Sequence, residues 1–92
     1  MLKPPNLHIA NAAPTSSVLT GYDEDRMLTY IRLLNASAEG TDWREVARIV
    51  LHIDPEQEPE RAFRAWATHL ARARWMTRKR NELRQLHDEW WG

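Results

Sequence analysis

HIDPEQEPERAFRAW, residues 52–66, places two prolines and a run of acids between two segments with the periodicity of helices. A residue before proline avoids the α region, so one helix ends here, and Pro59 suits the first turn of the next. The pattern predicts a lengthened turn between two helices. In a DNA-binding helix-turn-helix this turn would approach phosphate, yet it carries four acids: Asp54, Glu56, Glu58 and Glu60.

Two helices are predicted before this turn. In YDEDRMLTYIRLLNASAEG, Asp23 is placed to cap the first helix and Gly40 supplies a left-handed stop. Its expected inward stripe is Met27, Ile31, Leu34 and Ala38. The second helix, TDWREVARIVLHI, starts with Asp42 and Glu45 at capping-box spacing. Its apolar residues cover most of its circumference and predict a deep position: Trp43, Val46, Ala47, Ile49, Val50 and Ile53.

A third helix is predicted over residues 60–76. Its expected buried face is Phe63, Trp66, Ala67, Leu70 and Ala73. The other face carries a basic stripe with one aromatic residue: Arg61, Arg64, Thr68, Arg72, Trp75 and Lys79. The helical pattern continues through Leu83, Leu86 and Trp90, and the sequence leaves open whether residues 78–92 extend this helix or form another. With no alternating strand pattern, the expected class is all-α, with three to four helices.

The beginning of the chain differs in composition from the rest. Residues 1–19 combine prolines, asparagines and a serine pair without apolar periodicity, which predicts a flexible N-terminal arm followed by a single helical domain over residues 20–92. Pro4 and Pro5 interrupt the segment that a signal peptide would need, and no cysteine is present. We therefore expect a cytoplasmic protein that is stabilised by packing alone.

The charges are sorted along the chain although the net charge is zero. Residues 1–19 sum to +1, residues 20–60 to −6 and residues 61–92 to +5. A dedicated nucleic-acid-binding domain is usually basic overall, so the neutral total counts against unaided DNA binding, while the basic C-terminal third keeps it open.

The sequence predicts a binding protein rather than an enzyme. The four histidines, His8, His52, His69 and His87, lack the i, i+4 pairing of a metal site. No glycine-rich phosphate loop is present, and the acidic turn lacks the ligand spacing and central glycine of a calcium loop. We expect no catalytic residues, no cofactor, no metal and no small-molecule substrate.

Three of the five tryptophans invite different interpretations. Trp43 and Trp66 fall on apolar stripes, which predicts core packing. Trp75 falls on the solvent-exposed side of the third helix, where a large aromatic side chain indicates contact with a partner. For the basic stripe, phosphate contact and a solvated face paired with acids remain equally open.

Residues 18–77 resemble a proteobacterial domain-of-unknown-function family with an extended-turn helix-turn-helix fold, encoded largely on mobile elements. The motifs that carry this resemblance are YDEDRMLTYIRLL, GTDWREVARIVL, IDPEQEPERA and HLARARWMT, in that order and without gaps. Where many relatives continue with a Gly-Tyr turn after WMT, this chain has RKRNELRQL.

The resemblance implies two kinds of protein. Activators carry this domain after a separate N-terminal domain, bind DNA through its basic face and pack on their neighbouring domain through the opposite face. Antiactivators consist of little more than the domain, have a more negative surface, and block an activator of conjugative-element transfer by occupying its N-terminal domain. A short chain with an acidic first part favours the antiactivator, and the resemblance implies a TraR-type quorum-sensing regulator as a second target.

The antiactivator reading predicts a docking face away from the exposed side of the third helix. Its outer stripe is expected to contain Tyr22, Arg26, Tyr30 and Leu33, with Trp90 near. A further expected partner-binding residue is Trp75, on the exposed side of the third helix. The alternative is a DNA-binding regulator that uses helix 60–76, with contacts from Arg61, Arg64, Arg72 and Lys79. A self-associating scaffold is a third interpretation that the tryptophans permit.

Overall fold

The computed structural model describes the backbone of residues 9–91 and the side chains of residues 9–80. Four helices follow one another: α1 (Gly21–Asp25), α2 (Met27–Ala38), α3 (Trp43–Ile49) and α4 (Pro59–Trp91). No strand occurs in the described backbone. The all-α class with three to four helices is therefore confirmed. Within the described residues, no helix is both long and apolar enough to cross a membrane.

A reciprocal cap starts α1. The Thr20 hydroxyl accepts a hydrogen bond from the Asp23 N–H, and the Asp23 carboxylate accepts one from the Thr20 N–H at 3.0 Å. The prediction that Asp23 is itself the cap is wrong, because Asp23 occupies the third helical position. Arg26 then has φ −114° and ψ 24°, outside the helical range, so α1 and α2 are separate helices.

The boundary between α2 and α3 follows the sequence prediction. Gly40 has a φ of 74°, which favours glycine. Its N–H binds the Ser37 carbonyl, and the Thr41 N–H binds the Ala36 carbonyl, the pair of bonds that defines a Schellman cap. Asp42 caps α3 by accepting a hydrogen bond from the Arg44 N–H at 2.8 Å. Gly40 as the stop and Asp42 as the start are both confirmed.

The lengthened turn occupies residues 50–58 and contributes to the core. It begins earlier than predicted, because α3 ends at Ile49 and His52 takes a positive φ of 58°. Leu51 and Ile53 are both buried in the core. Asp54 closes the turn: its side chain accepts from the Glu56 N–H and its carbonyl accepts from the Glu58 N–H, each at 2.9 Å. The four acids of the turn region are exposed.

Helix α4 begins at Pro59 as predicted and continues without a break to Trp91. At about 1.5 Å per residue its length is roughly 50 Å, close to the longest dimension of the molecule, 53 Å. The sequence left open whether residues 78–92 extend the third predicted helix or form another. The backbone extends that helix as far as Trp91. Both α2 and α3 pack against α4, where alanines allow close approach: Ala62, Ala65 and Ala73.

The burial of α2 reverses the sequence prediction. Met27 and Ile31, predicted to point inward, are 40% and 48% exposed. Tyr30 and Leu33, predicted to lie on an outer stripe, are each only 1% exposed. Two further residues predicted to be buried, Ile49 and Phe63, are also exposed. The inward face of α2 is therefore the neighbouring stripe, which contains Tyr30 and Leu33.

Residues 9–19 lie against the helices and are called the N-terminal strap below. Ile9 and Ala13 are buried, and the Ala13 N–H donates to the Thr68 hydroxyl of α4 at 3.1 Å. The prediction of a flexible arm before a domain that starts at residue 20 is therefore wrong for residues 9–19, because they contribute a side chain to the core. Residues 1–8 of the predicted arm lie outside the described part of the chain.

Candidate functional site

A buried ion pair joins α1 to α4. The Asp23 carboxylate is fully buried and accepts two hydrogen bonds from Arg72, from Nη2 at 2.7 Å and from Nε at 3.1 Å. The Tyr30 hydroxyl donates to the same carboxylate at 2.8 Å, and Thr20 donates from its N–H and its hydroxyl. A buried carboxylate needs such partners, because burial without them strongly disfavours its charge.

The ionisation of this cluster follows from those bonds. Burial by itself would raise the pKa of Asp23, but the hydrogen bonds from Arg72, Thr20 and Tyr30 hold that pKa well below its usual range. Burial and the bond to the Asp23 carboxylate raise the pKa of Tyr30 far above its ordinary value. At neutral pH the cluster therefore contains a carboxylate, a guanidinium and a neutral phenol.

Arg72 also holds the N-terminal strap. Its Nη1 donates to the Ser16 carbonyl at 2.5 Å and its Nη2 to the Val18 carbonyl at 2.9 Å. The Trp75 ring covers the guanidinium, with Cζ at 4.1 Å from the ring centroid. Arg72 therefore connects the strap, α1 and α4 through a single buried side chain.

A second polar connection runs through His69, which is fully buried on α4. Its Nδ1 lies 2.7 Å from the Ala65 carbonyl, and because a carbonyl can only accept, Nδ1 carries the hydrogen. In the neutral ring, Nε2 then accepts from the Tyr22 hydroxyl at 2.5 Å, whose oxygen in turn accepts from the Ala10 N–H of the strap at 2.9 Å. The neutral imidazole thus completes a chain of hydrogen bonds to the strap.

Burial lowers the pKa of His69; the Ala65 hydrogen bond and Asp23 oppose this, and Arg26 reinforces it. Because the folded state favours the neutral ring, its contribution to stability is complete above the unfolded pKa of about 6.5 and decreases as the pH falls below that value. We expect the free energy of unfolding to decrease between pH 7 and pH 5, by at most about 1.4 kcal/mol per pH unit.

Urea denaturation across this pH range checks the expectation. The His69→Phe variant should be less stable at pH 7, because the Tyr22 hydroxyl loses its acceptor, but its stability should depend less on pH. His52→Gln, at an exposed turn position, is the matched control and should retain the wild-type pH dependence. An unchanged slope in His69→Phe would contradict the assignment.

Of the four residues predicted to bind DNA, two are held by hydrogen bonds within the protein and two are exposed. Arg72 is 5% exposed and already bonded, so it cannot reach a phosphate without breaking the buried ion pair. Arg61 donates to Asn11 of the strap and to Glu58, each within 2.9 Å. Arg64 and Lys79 are exposed. The predicted basic stripe is therefore not a continuous surface, because the strap lies across it.

The predicted partner-binding residues are also divided. Tyr30 and Leu33 belong to the core, so their assignment to an outer docking face is wrong. Tyr22 is half-buried and supports the strap, and Arg26 stacks on its ring at 3.7 Å from the centroid. Trp75 is half-buried against Arg72 instead of standing free. The side chain of the sixth predicted residue, Trp90, lies outside the described residues.

An apolar groove lies between α2 and α4. Its volume is about 380 Å³, and its apolar lining consists of Leu19, Met27, Ile31, Leu34, Ala73 and Met76. Leu19 is 51% exposed, alongside the two exposed residues of α2 described above. Lys79 and Arg80 line the same groove. This α2–α4 groove therefore combines accessible apolar side chains with a cationic border.

Trp43, Phe63 and Trp66 form a second aromatic feature on the α3–α4 side. The Trp43 and Phe63 rings meet edge to face with centroids 5.1 Å apart, and Trp66 lies 5.6 Å from Phe63. Trp43 and Trp66 are half-buried and pack against the core, whereas Phe63 remains 48% exposed. The cluster mainly closes the junction of α3 and α4.

The chain matches no protein-family model and no curated protein. Among the described residues, no three histidine, cysteine or acidic side chains stand close enough to hold a metal ion. The candidate site is the α2–α4 groove, with its accessible apolar side chains and cationic border.

Sequence reasoning missed both the buried ion pair and the groove. Asp23 and Arg72 are 49 positions apart, and no local sequence pattern at either residue indicates that they form a pair. The groove was not predicted for another reason. Met27 and Ile31 lie on the more apolar stripe of α2, and hydropathy assigns that stripe to the inward face. One signal did exist, because the spacing of Tyr22, Arg26, Tyr30 and Leu33 is equally helical and ends in two large residues able to fill a core.

Proposed function

We propose that this chain is a protein-binding antiactivator of transcription that docks on a transcriptional activator and prevents it from acting. The observation that carries the proposal is the α2–α4 groove, an accessible apolar surface on a small helical domain. The resemblance to the extended-turn helix-turn-helix family supplies the proposed target, the N-terminal domain of an activator of conjugative-element transfer. It also extends the proposal to a second target, a TraR-type quorum-sensing regulator.

The hydrogen bonds that hold two arginines of α4 support protein binding over DNA binding. Specific DNA recognition by a helix requires side chains that are free to reach base edges and phosphates. In this chain Arg72 is committed to Asp23 and the strap, while Arg61 is bonded to Asn11 and Glu58. The exposed acids of residues 54–60 also oppose the approach of a phosphate backbone.

The groove suits a partner helix. Amphipathic helices dock in apolar grooves through residues spaced three and four apart, and a few buried side chains supply most of the binding energy. The docking surface that we propose is therefore centred on Met27, Ile31 and Met76, in place of the Tyr30 and Leu33 stripe expected from the sequence. It needs no rearrangement of the core.

Competition with an intramolecular domain sets the affinity that the antiactivator requires. An activator's own helix-turn-helix domain, joined by a short linker, has an effective concentration of about the millimolar range. A free competitor must therefore bind more tightly than the tethered domain, or bind while the activator's domains are apart.

A substitution in the groove tests the proposal. We expect Ile31→Asp to weaken binding to the N-terminal domain of the proposed target activator by roughly 30-fold or more, because it places a charge in the centre of the apolar contact. Isothermal titration calorimetry measures the change. Ile49→Asp is the matched control, since Ile49 is 65% exposed on α3 and does not line the groove.

Two results would oppose the proposal. Equal affinity of Ile31→Asp and wild type would remove the groove from the interface. A mobility-shift titration that gave tight DNA binding, weakening steeply with salt, would favour the DNA-binding regulator instead.

A further inference from the structure

The charges that border the α2–α4 groove are all of one sign in the described part of the chain. Lys79 and Arg80 are the two charged residues of its lining, and both side chains are exposed. Arg78, the residue before them, is also exposed. The remainder of the lining is apolar apart from the hydroxyls of Tyr30 and Thr77. A partner therefore meets an apolar floor with a positive border at one end.

The apolar floor and the charged border contribute differently to recognition. Met27 and Met76 have flexible, polarisable side chains, which adapt to different apolar shapes and so discriminate weakly between them. Charge complementarity at the border of an interface mainly sets specificity and the rate of association. The selectivity of this groove should therefore come from its cations.

We propose that the groove accepts an amphipathic helix whose apolar stripe is bordered by acidic residues that face Lys79 and Arg80. This inference rests on the proposed function and specifies the chemistry of the partner segment. A helix fits because the groove runs between two helices and offers apolar side chains from both, from Ile31 on α2 to Met76 on α4. Acidic residues fit because an uncompensated cationic border would lose hydration without gaining a partner.

Synthetic helical peptides provide the probe. Two peptides of about 14 residues share one leucine stripe at helical spacing and differ in the residues beside it, glutamate in one and lysine in the other. Fluorescence anisotropy with the wild-type chain should show tighter binding of the glutamate peptide, by roughly fivefold to tenfold at low salt. The preference should shrink at about 0.5 M salt, where exposed charges are screened.

Charge reversal of the border tests the assignment directly. The Lys79→Glu/Arg80→Glu variant should reverse the preference and bind the lysine peptide more tightly. Arg48→Glu/Arg64→Glu is the matched control, because it changes the net charge by the same amount at exposed residues outside the groove. It should keep the wild-type preference. Circular dichroism confirms that each variant retains its helices.

The outcomes separate this inference from the proposed function. Equal binding of the two peptides by the wild type, no binding of either, or an equal response of both double variants would overturn the acidic-helix partner. None of these results bears on the effect of Ile31→Asp on the activator domain, which decides the proposed function. Conversely, a charge-selective groove that failed to bind any activator domain would retain the inference about partner chemistry and refute the antiactivator.

Discussion

Asp23→Asn is expected to lower the free energy of unfolding by about 3–5 kcal/mol, because it leaves the buried Arg72 guanidinium without its counter-charge. The substitution preserves the size of the side chain, so the effect reports charge and hydrogen bonding rather than a cavity. Since a small domain is stable by only about 5–15 kcal/mol in total, the variant should be close to unfolding at room temperature. Urea denaturation at pH 7 measures the difference.

Two comparisons make this result specific to the ion pair. Asp25→Asn removes an exposed carboxylate from the same helix and should change stability by less than about 0.5 kcal/mol. In a double-mutant cycle, Asp23→Asn/Arg72→Met should cost less than the sum of the two single changes, because both buried charges are then gone. Additive losses, or a loss below about 1 kcal/mol for Asp23→Asn, would contradict the role of the pair.

The ion pair also makes a prediction for acid unfolding. The pKa of Asp23 is lowered in the folded state, so its contribution is present above the unfolded pKa of about 3.9 and is lost as the pH falls below it. Stability of the wild type should therefore fall steeply on acidification below about pH 4. Asp23→Asn, which has no carboxylate to protonate at this position, should show a smaller acid dependence.

Leu33→Ala should destabilise the fold by about 2–5 kcal/mol, through lost apolar contact and the cavity left in the core. Leu33 is 1% exposed and belongs to the cluster in which α2 and α3 meet α4. Leu28→Ala is the matched control on the same helix: Leu28 is 57% exposed, so its loss should be within about 0.5 kcal/mol. Thermal and urea unfolding of the three proteins measure both values.

The Leu33→Ala variant also tests whether Leu33 belongs to the partner interface. Leu33 was expected on the docking face, but any loss of partner binding in Leu33→Ala should follow from unfolding. At a temperature where the variant remains folded, its affinity should equal that of the wild type. Similar destabilisation by Leu28→Ala and Leu33→Ala would mean that the inward face of α2 is assigned wrongly.

Three helix boundaries, the end of α2 and the starts of α3 and α4, were predictable because local chemistry sets them. Gly40 ends α2 since it takes a left-handed conformation at little cost, and Asp42 starts α3 by accepting an N–H bond. Pro59 begins α4 because its missing N–H is unneeded in a first turn. The cap of α1 does not follow from the acid alone, because Thr20 is the cap residue and Asp23 bonds back to it from the third helical position.

The candidate site was much less predictable, since it depends on which of two adjacent stripes of α2 turns inward. Both stripes have helical spacing, and the more apolar one contains Met27 and Ile31. The core instead takes Tyr30 and Leu33, because the Tyr30 hydroxyl can bond the buried Asp23 carboxylate while its ring packs beside His69. Hydropathy alone therefore assigned Met27 and Ile31 to the core and left Tyr30 and Leu33 on the surface.

The sequence by itself determined that the chain forms helices, where α2 ends and α3 and α4 begin, and that an acidic turn precedes a basic helix. These properties follow from caps, prolines, glycine and charge, each of which acts over a few residues. Only the tertiary structure decided which cations stay exposed and which apolar residues remain accessible. That decision depends on contacts between distant segments, above all the bonds from Arg72 to Asp23 and the strap, which local periodicity does not encode.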